Sequence, residues 1–449
     1  GIPNSLRQCK NMLPQSKDSI IEKIESKDYS QDQKLKLSIK YLDNIQNRID
    51  TTEEEWQDSA KRFIDDSREI INKLIEAKES LSVSKILVRY LDIVKCIEER
   101  DGIEEIYPNI KESLSKLLAG KIDSQVGKKL LDFDMFKVSD SDKEVIFNSI
   151  IKSLKEDISK TKEILLWRGD SKLNKFVKET LDTLDKILDD KDKRDKIEKS
   201  ITSDRFDKKA LGLQNTIIYG EDGGLYLLLN SANETQEAIL EESLGKDYLL
   251  GKYREEDSKD LDKILLGEGG FGKVRLGISL IKSESSEASK LICIKKTHHL
   301  NERLKNSDSI TITKITQDVL SDYFASEKEE YIYAPKILDM AIVIVSNDSV
   351  KENHQKGYVM MDLIPQNTAE KIFSDKDYRK WEYQQPYLQG LLESLDKLVQ
   401  NNRIMTDLKP ENTLYDTDSR KVYIIDLAGI IDLAGIIDIE EGSSLEKCD

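Results

Sequence analysis

Four glycines, Gly267, Gly269, Gly270 and Gly272, fall between two runs that read as strands, residues 262–266 and 273–278. A glycine loop between strands offers backbone N–H groups to phosphate oxygens with no side chain in the way. A Rossmann loop would instead open a helix, and the alternation from Val274 to Ile278 disfavours it. The next apolar run, residues 291–295, ends on Lys295. A lysine closing a strand is commonly a surface cap; behind this glycine loop it has the position of a phosphate-holding lysine. Farther on, the run DLKPEN at residues 407–412 sets a carboxylate (Asp407), an ammonium (Lys409) and an amide (Asn412) within one turn. Together such groups can serve a nucleophile, a transferring phosphoryl group and a metal ion.

These runs resemble the eukaryotic-type protein kinase family. The glycine loop matches G-x-G-x-x-G-x-V through Val274, and Ile292, Cys293, Ile294 and Lys295 match V-A-I-K, with Cys293 in place of the small alanine. DLKPEN resembles the catalytic loop of the Ser/Thr kinases. By that resemblance Asp407 accepts or orients the substrate hydroxyl proton, Lys409 neutralises the transferring phosphoryl group, and Asn412 holds magnesium. The run YVMMDLIP at 358–365 resembles the kinase hinge, with Met361 as gatekeeper and backbone groups of Asp362 and Ile364 bonding adenine. Asp426 stands where the family has the aspartate of D-F-G, a second magnesium ligand. The implied cofactors are ATP and Mg2+.

The departures are specific. Met405 and Thr406 replace the histidine and arginine of H-R-D, as in a non-RD kinase, so activation-loop phosphorylation is not the expected switch. Leu427 and Ala428 follow Asp426 where Phe and Gly are usual. The hexapeptide IIDLAG occurs at 424–429 and again at 430–435, which makes Asp432 a competing metal ligand. The glutamate that pairs with Lys295 in the family falls in a helix expected at 315–330; Glu327 is the choice, with Glu329 and Glu330 as alternatives. The chain ends 23 residues after Asp426 without an A-P-E segment, so it reads either as a fragment or as a kinase with a reduced C-lobe.

The elements that must position these residues divide by composition. Residues 1–200 carry 39 basic and 41 acidic side chains, and the remainder 31 and 45. Eleven of the 21 glycines lie between Gly212 and Gly277, which marks a change from helices to strands. Upstream, Ile70, Ile71, Leu74, Ile75 and Leu81 follow helical spacing, as do Ile86, Leu87, Tyr90, Leu91, Val94 and Ile97. Thr52 with Glu55 and Ser141 with Glu144 have capping-box spacing. Residues 216–219 and 225–229 read as a β-hairpin around a glycine-rich loop. Residues 388–399 have helical spacing, matching the buried helix before the family's catalytic loop. The expected organisation is multidomain: an all-α helical bundle over 1–205 for regulation or interaction, a hairpin and linker over 206–255, and an α+β protein-kinase-like domain over 256–449 with an incomplete C-lobe.

A net charge of −16 argues against a nucleic-acid binder, since phosphate contacts need clustered Lys and Arg. No apolar run approaches the ~18 residues of a membrane span. The four cysteines are far apart, with no disulfide or zinc-type spacing, which suits a reducing cytosol. The expected function is ATP- and Mg-dependent phosphotransfer to Ser or Thr of a protein substrate, with a protein partner for the helical region. A pseudokinase-like scaffold and a small-molecule kinase are the alternatives.

Overall fold

The computed structural model describes residues 16–51, 56–77, 80–98, 108, 124–131, 140–220, 223–229, 233–245, 265–269, 272–281, 289–297, 335, 337–346, 353–400, 403–405, 408–425 and 430–432. They divide into two compact units, one drawn from residues 1–161 and 188–198, the other from 162–187, 199–282 and 287–449.

The first unit is helical: α1 (Lys17–Glu25), α2 (Gln31–Thr51), α3 (Trp56–Glu76), α4 (Ser80–Glu98), α5 (Ser124–Leu131) and most of α6 (Asp140–Trp167). Ser16 caps α1, its hydroxyl accepting the Ser19 N–H at 3.2 Å. The apolar series from Ile86 to Ile97 is buried along α4. The series from Ile70 to Leu81 is split: Ile70, Ile71 and Leu74 are buried in α3, Ile75 is exposed, and Leu81 belongs to α4. Periodicity continued across a helix junction that leaves Ile75 in solvent. Phe63 and Tyr90 stack at 5.4 Å between α3 and α4. Ser141 is the second residue of α6, which begins at Asp140 rather than after Ser141. Thr52 and Glu55 lie outside the described residues.

The second unit takes in the end of α6, nearly all of α7 (Lys172–Leu188) and the end of α8 (Arg194–Thr202), which leads into its sheet. The strands are β1 (Arg205–Phe206), β2 (Thr216–Tyr219), β3 (Leu225–Leu228), β4 (Leu265–Gly269), β5 (Gly272–Ile281), β6 (Lys290–Thr297), β7 (Ile337–Ser346) and β8 (Asn353–Asp362). Short helices α9 (Lys208–Leu211) and α10 (Glu234–Leu244) lie between them in the chain. The order is β1-β2-β3-β5-β6-β8-β7, all pairs antiparallel, with β4 also paired to β5. The expected hairpin is β2–β3. Its second strand, β3, adds to β5 over Gly277–Ile281, while β4 pairs with β5 over Gly272–Arg275, so one long strand serves two neighbours along one edge. A Cβ at Gly277 would overlap Ile294 and crowd the Leu227 carbonyl, so glycine lets β3 approach.

The sheet curls. Ile218, Tyr226 and Leu228 from the hairpin meet Ile292, Ile294, Ala341, Val343, Tyr358 and Met360 in one buried cluster. Burial pushes the Tyr358 phenol up, and the Arg205 guanidinium opposes it, so β1 also lies within electrostatic reach of β8. Twisted strands close over their own face in this way when that face is apolar.

Beyond the sheet come α11 (Ala369–Ser374), α12 (Trp381–Gln400), β9 (Arg403–Met405), β10 (Thr413–Asp416), β11 (Lys421–Ile424) and β12 (Ile430–Asp432). The β10–β11 hairpin and the two helices share a core of Ala369, Tyr387, Tyr415 and Val422. The helix expected over 388–399 is α12, but it is not buried all round. Tyr387 and Ser394 are covered, whereas Leu388, Leu392 and Val399 are exposed. The chain is thus α+β, a helical region followed by a curled antiparallel sheet. No helix among the described residues is long and apolar enough to cross a membrane.

Candidate active site

Strand pairing gathers the first set of expected residues. Gly269 pairs with Gly272, so β4 and β5 are joined by a two-residue connection, Gly270 and Phe271, both outside the described residues. Gly267 faces Val274 across that hairpin. A Cβ on Gly267 would meet nothing within 4 Å, so packing against described residues does not require the glycine and the space beside its backbone is open. Cross-strand partners project to the same side of a sheet, and side chains two apart on one strand share that side. Val274 pairs with Lys295, and Cys293 pairs with both Leu276 and Met361. Val274, Cys293, Lys295 and Met361 therefore share one face of β5, β6 and β8. Lys295 and Met361 are half-buried, and Cys293 is buried and takes part in no disulfide. The opposite face, with Ile294 and Met360, is the one the hairpin covers.

At the end of β8, Asp362 pairs with Ile292 and forms an ion pair with Lys290 at 2.8 Å, short of an aligned hydrogen bond. The chain then leaves the sheet through residues 363–367, including Ile364. It is next caught by β10: Tyr415 donates its N–H to the Asn367 carbonyl at 3.1 Å, and Thr368 bridges to Leu414. The segment after β8 is therefore tied to the hairpin that follows Asn412.

Lys409 and Asn412 bracket a 3-10 turn, Pro410–Asn412, closed by the Asn412 N–H on the Lys409 carbonyl at 2.9 Å. Lys409 is exposed and Asn412 half-buried. Thr413, fully buried, gives its hydroxyl proton to the Pro410 carbonyl at 3.2 Å and meets the Tyr387 hydroxyl at 3.0 Å. A hydroxyl has one proton to give, so Tyr387 is the donor to Thr413. Burial pushes the Tyr387 phenol up, more than the Thr413 contact lowers it. The turn is thereby fastened to α12.

The β10–β11 register pairs Thr413 with Ile424, and Ile425 donates its N–H to the Asn412 carbonyl at 3.1 Å. Asn412 thus sits beside the residue that immediately precedes Asp426. Asp407, Asp426, Gly270, Glu327, Glu329 and Glu330 lie outside the described residues. Among the described residues no group of three His, Cys, Asp or Glu side chains could hold a metal ion. The donors expected here, an amide oxygen and a carboxylate, are hard oxygens of the kind magnesium takes, usually with waters and substrate phosphates completing the shell. Lys290, Asn367 and Ile425 were not identified from sequence, because each acts through a non-local backbone or ion-pair contact that no motif marks.

Comparison with models of known protein families finds no match. Among curated proteins, the chain is similar to a probable serine/threonine-protein kinase of Dictyostelium discoideum, 26% identical over 196 residues. The matched stretch is 42% of this chain and 34% of that protein, so the chain spans about a third of the length of the curated relative it matches.

Proposed function

We propose that the sheet-bearing unit binds Mg-ATP and transfers its terminal phosphoryl group to a serine or threonine hydroxyl of a protein substrate. The observation that carries this reading is the common face of Val274, Cys293, Lys295 and Met361 behind a glycine hairpin. On this reading the loop glycines 267, 269, 270 and 272 present N–H groups to the phosphates, and Lys295 holds them, oriented by Glu327. Val274, Cys293 and Met361 cover adenine, while backbone groups of Asp362 and Ile364 bond its edge. Asp407 orients the attacking hydroxyl and takes its proton, and Lys409 offsets charge on the moving phosphoryl group. Magnesium bound by Asn412 and Asp426 would neutralise phosphate charge. The Ile425–Asn412 bond favours Asp426 over Asp432 as that ligand. The similarity to a probable Ser/Thr kinase supports the reaction class. Residues 1–205 would serve regulation or targeting through a protein partner, with 206–255 as hairpin and linker and 256–449 as the phosphotransfer domain, in a reducing cytosol.

The test is Mg-ATP titration calorimetry together with transfer from labelled ATP to a generic Ser/Thr substrate, on the full chain and four variants. Lys295→Ala and Asp426→Ala should each weaken magnesium-dependent binding. Asp407→Asn should leave binding nearly intact and lower turnover by about 10²-fold or more, the scale of a lost general base. Asp432→Ala should be nearly silent. Binding that ignores magnesium and Lys295 would sink the proposal.

A further inference from the structure

The curled sheet contains a buried carboxylate with no role in the proposed chemistry. Asp339 lies on β7 at 3% exposure, within an apolar run. Its Oδ2 receives the Gly224 N–H and the Tyr226 hydroxyl, each at 3.2 Å, and its Oδ1 receives the Met340 N–H at 2.8 Å. Taking a carboxylate out of water costs several kcal/mol unless donors replace the lost hydration. Two of the three donors here belong to the hairpin, 115 and 113 residues away in the chain. The hairpin is shaped to reach this carboxylate: a Cβ on Gly220 would overlap Asp339, and one on Gly224 would overlap the Tyr226 hydroxyl.

Asp339 also stands at an irregularity in the pairing of β7 with β8. Ile337 pairs with Met361 and Asp339 with Met360, the register shifting between them. A bulge re-aims the side chains beside it. Asp339 therefore joins the hairpin on one side to the strand pair carrying Met360 and Met361 on the other. Met361 is on the face assigned above to the nucleotide, one residue before Asp362.

We propose that Asp339 is a positioning residue for the nucleotide edge, latching the β2–β3 hairpin to the end of β8. This rests on the proposed function, since the edge it positions is that of the Mg-ATP site. Through the latch, strain on the hairpin, which follows α8 in the chain, reaches Met361 and Asp362 without passing through the glycine loop.

The experiment uses the full chain with Tyr226→Phe, which removes one donor, and Asp339→Asn, which removes the charge. Amide hydrogen exchange is followed by mass spectrometry without nucleotide, and then Mg-ATP affinity, KM and kcat are measured. Exchange should rise at 225–228 and at 358–364 while α12 is unchanged. Mg-ATP affinity should fall about tenfold, the equivalent of one lost hydrogen bond to a charged group, with kcat at saturating ATP retained. Exchange that rises only in the hairpin, or equally throughout the unit, overturns the latch, as does unchanged affinity in a chain that binds Mg-ATP. If the unsubstituted chain binds no Mg-ATP, the phosphotransfer reading fails. The exchange pattern at 358–364 then decides the latch by itself.

Discussion

The fastening of the Pro410–Asn412 turn to α12 yields a quantitative prediction. Tyr387→Phe removes the donor to Thr413 but leaves the Thr413 proton on the Pro410 carbonyl. That is one ordinary buried hydrogen bond, about 1 kcal/mol. Thr413→Val is harsher, since it strands the Tyr387 hydroxyl in a site where Tyr387 is 6% and Thr413 0% exposed. An orphaned buried donor costs its full desolvation, so the expected loss is about 3 kcal/mol. In the double variant the hydroxyl is gone as well, and only the carbonyl of exposed Pro410 lacks its partner, which water can supply. The expected loss there is about 2 kcal/mol, roughly 2 kcal/mol less than the sum of the singles, within the range found for residues in direct contact. Because the chain has two compact units, a single global unfolding curve is the wrong assay. Stability should be read locally, from amide exchange of Thr413–Asp416 across a urea series. Additivity to within about 0.5 kcal/mol, or Tyr387→Phe costing more than Thr413→Val, would refute the donor assignment.

Two further outcomes follow from glycine packing and from one carboxylate. Gly277→Ala should destabilise the sheet by about 1–3 kcal/mol, because the added methyl overlaps Ile294 and stands 2.9 Å from the Leu227 carbonyl; unchanged exchange protection in β3 and β5 would contradict the close approach. Burial alone would raise the Asp416 carboxyl, but bonds from the Ser419 hydroxyl and from the Ser419 and Asp418 N–H groups, with Lys421 nearby, outweigh it and hold it below 3.8. A depressed folded value stabilises the β10–β11 hairpin above the ordinary value and loses that stability as pH falls through the folded one. Carboxyl NMR should find Asp416 titrating below 3.8, with hairpin protection lost only in acid, and Asp416→Asn should abolish that acid step.

Local pattern made much of this architecture readable. Alternation from Val274 to Ile278 marked β5, and an unbroken apolar run marked the strand through Lys295. The strand expected at 262–266 is instead found at Leu265–Gly269, which puts Gly267 and Gly269 in β4 rather than in the loop. The β2–β3 hairpin was legible from its glycine-rich loop, and α12 from the spacing of its leucines. What that spacing could not report was which face is covered: Leu388 and Leu392 are apolar, yet both are exposed. The destination of the hairpin was also hidden. Its pairing with β5 joins Leu227 to Ile278 across some fifty residues of chain, and nothing local encodes such a partner. Asp339 sits in a run whose apolar character reads only as a buried strand, so its polar contacts appear only when the curl brings Gly224 and Tyr226 to it.

The repeated hexapeptide shows the same limit most sharply. Two identical copies have identical propensities, and a slip of six residues, being even, returns every side chain to the same face of a strand. Pattern alone therefore cannot choose which copy follows Asn412. The structure distinguishes them by partner. The first copy ends β11, with Ile424 opposite Thr413 and Ile425 bonded to the Asn412 carbonyl. The second forms β12 and lies antiparallel to β9, with Ile430 opposite Met405, Ile431 opposite Ile404 and Asp432 opposite Arg403. What fixes the choice is the closure of the β10–β11 hairpin. Asp416 pairs with Lys421, its carboxylate accepts the N–H groups of Asp418 and Ser419, and Arg420 takes a left-handed φ of 59° to complete the turn. A six-residue slip would have to lengthen that loop by the same six residues, giving up the turn and the loop-closure advantage it provides. The turn at 417–420, more than the aspartates themselves, sets which copy of the repeat stands beside Asn412.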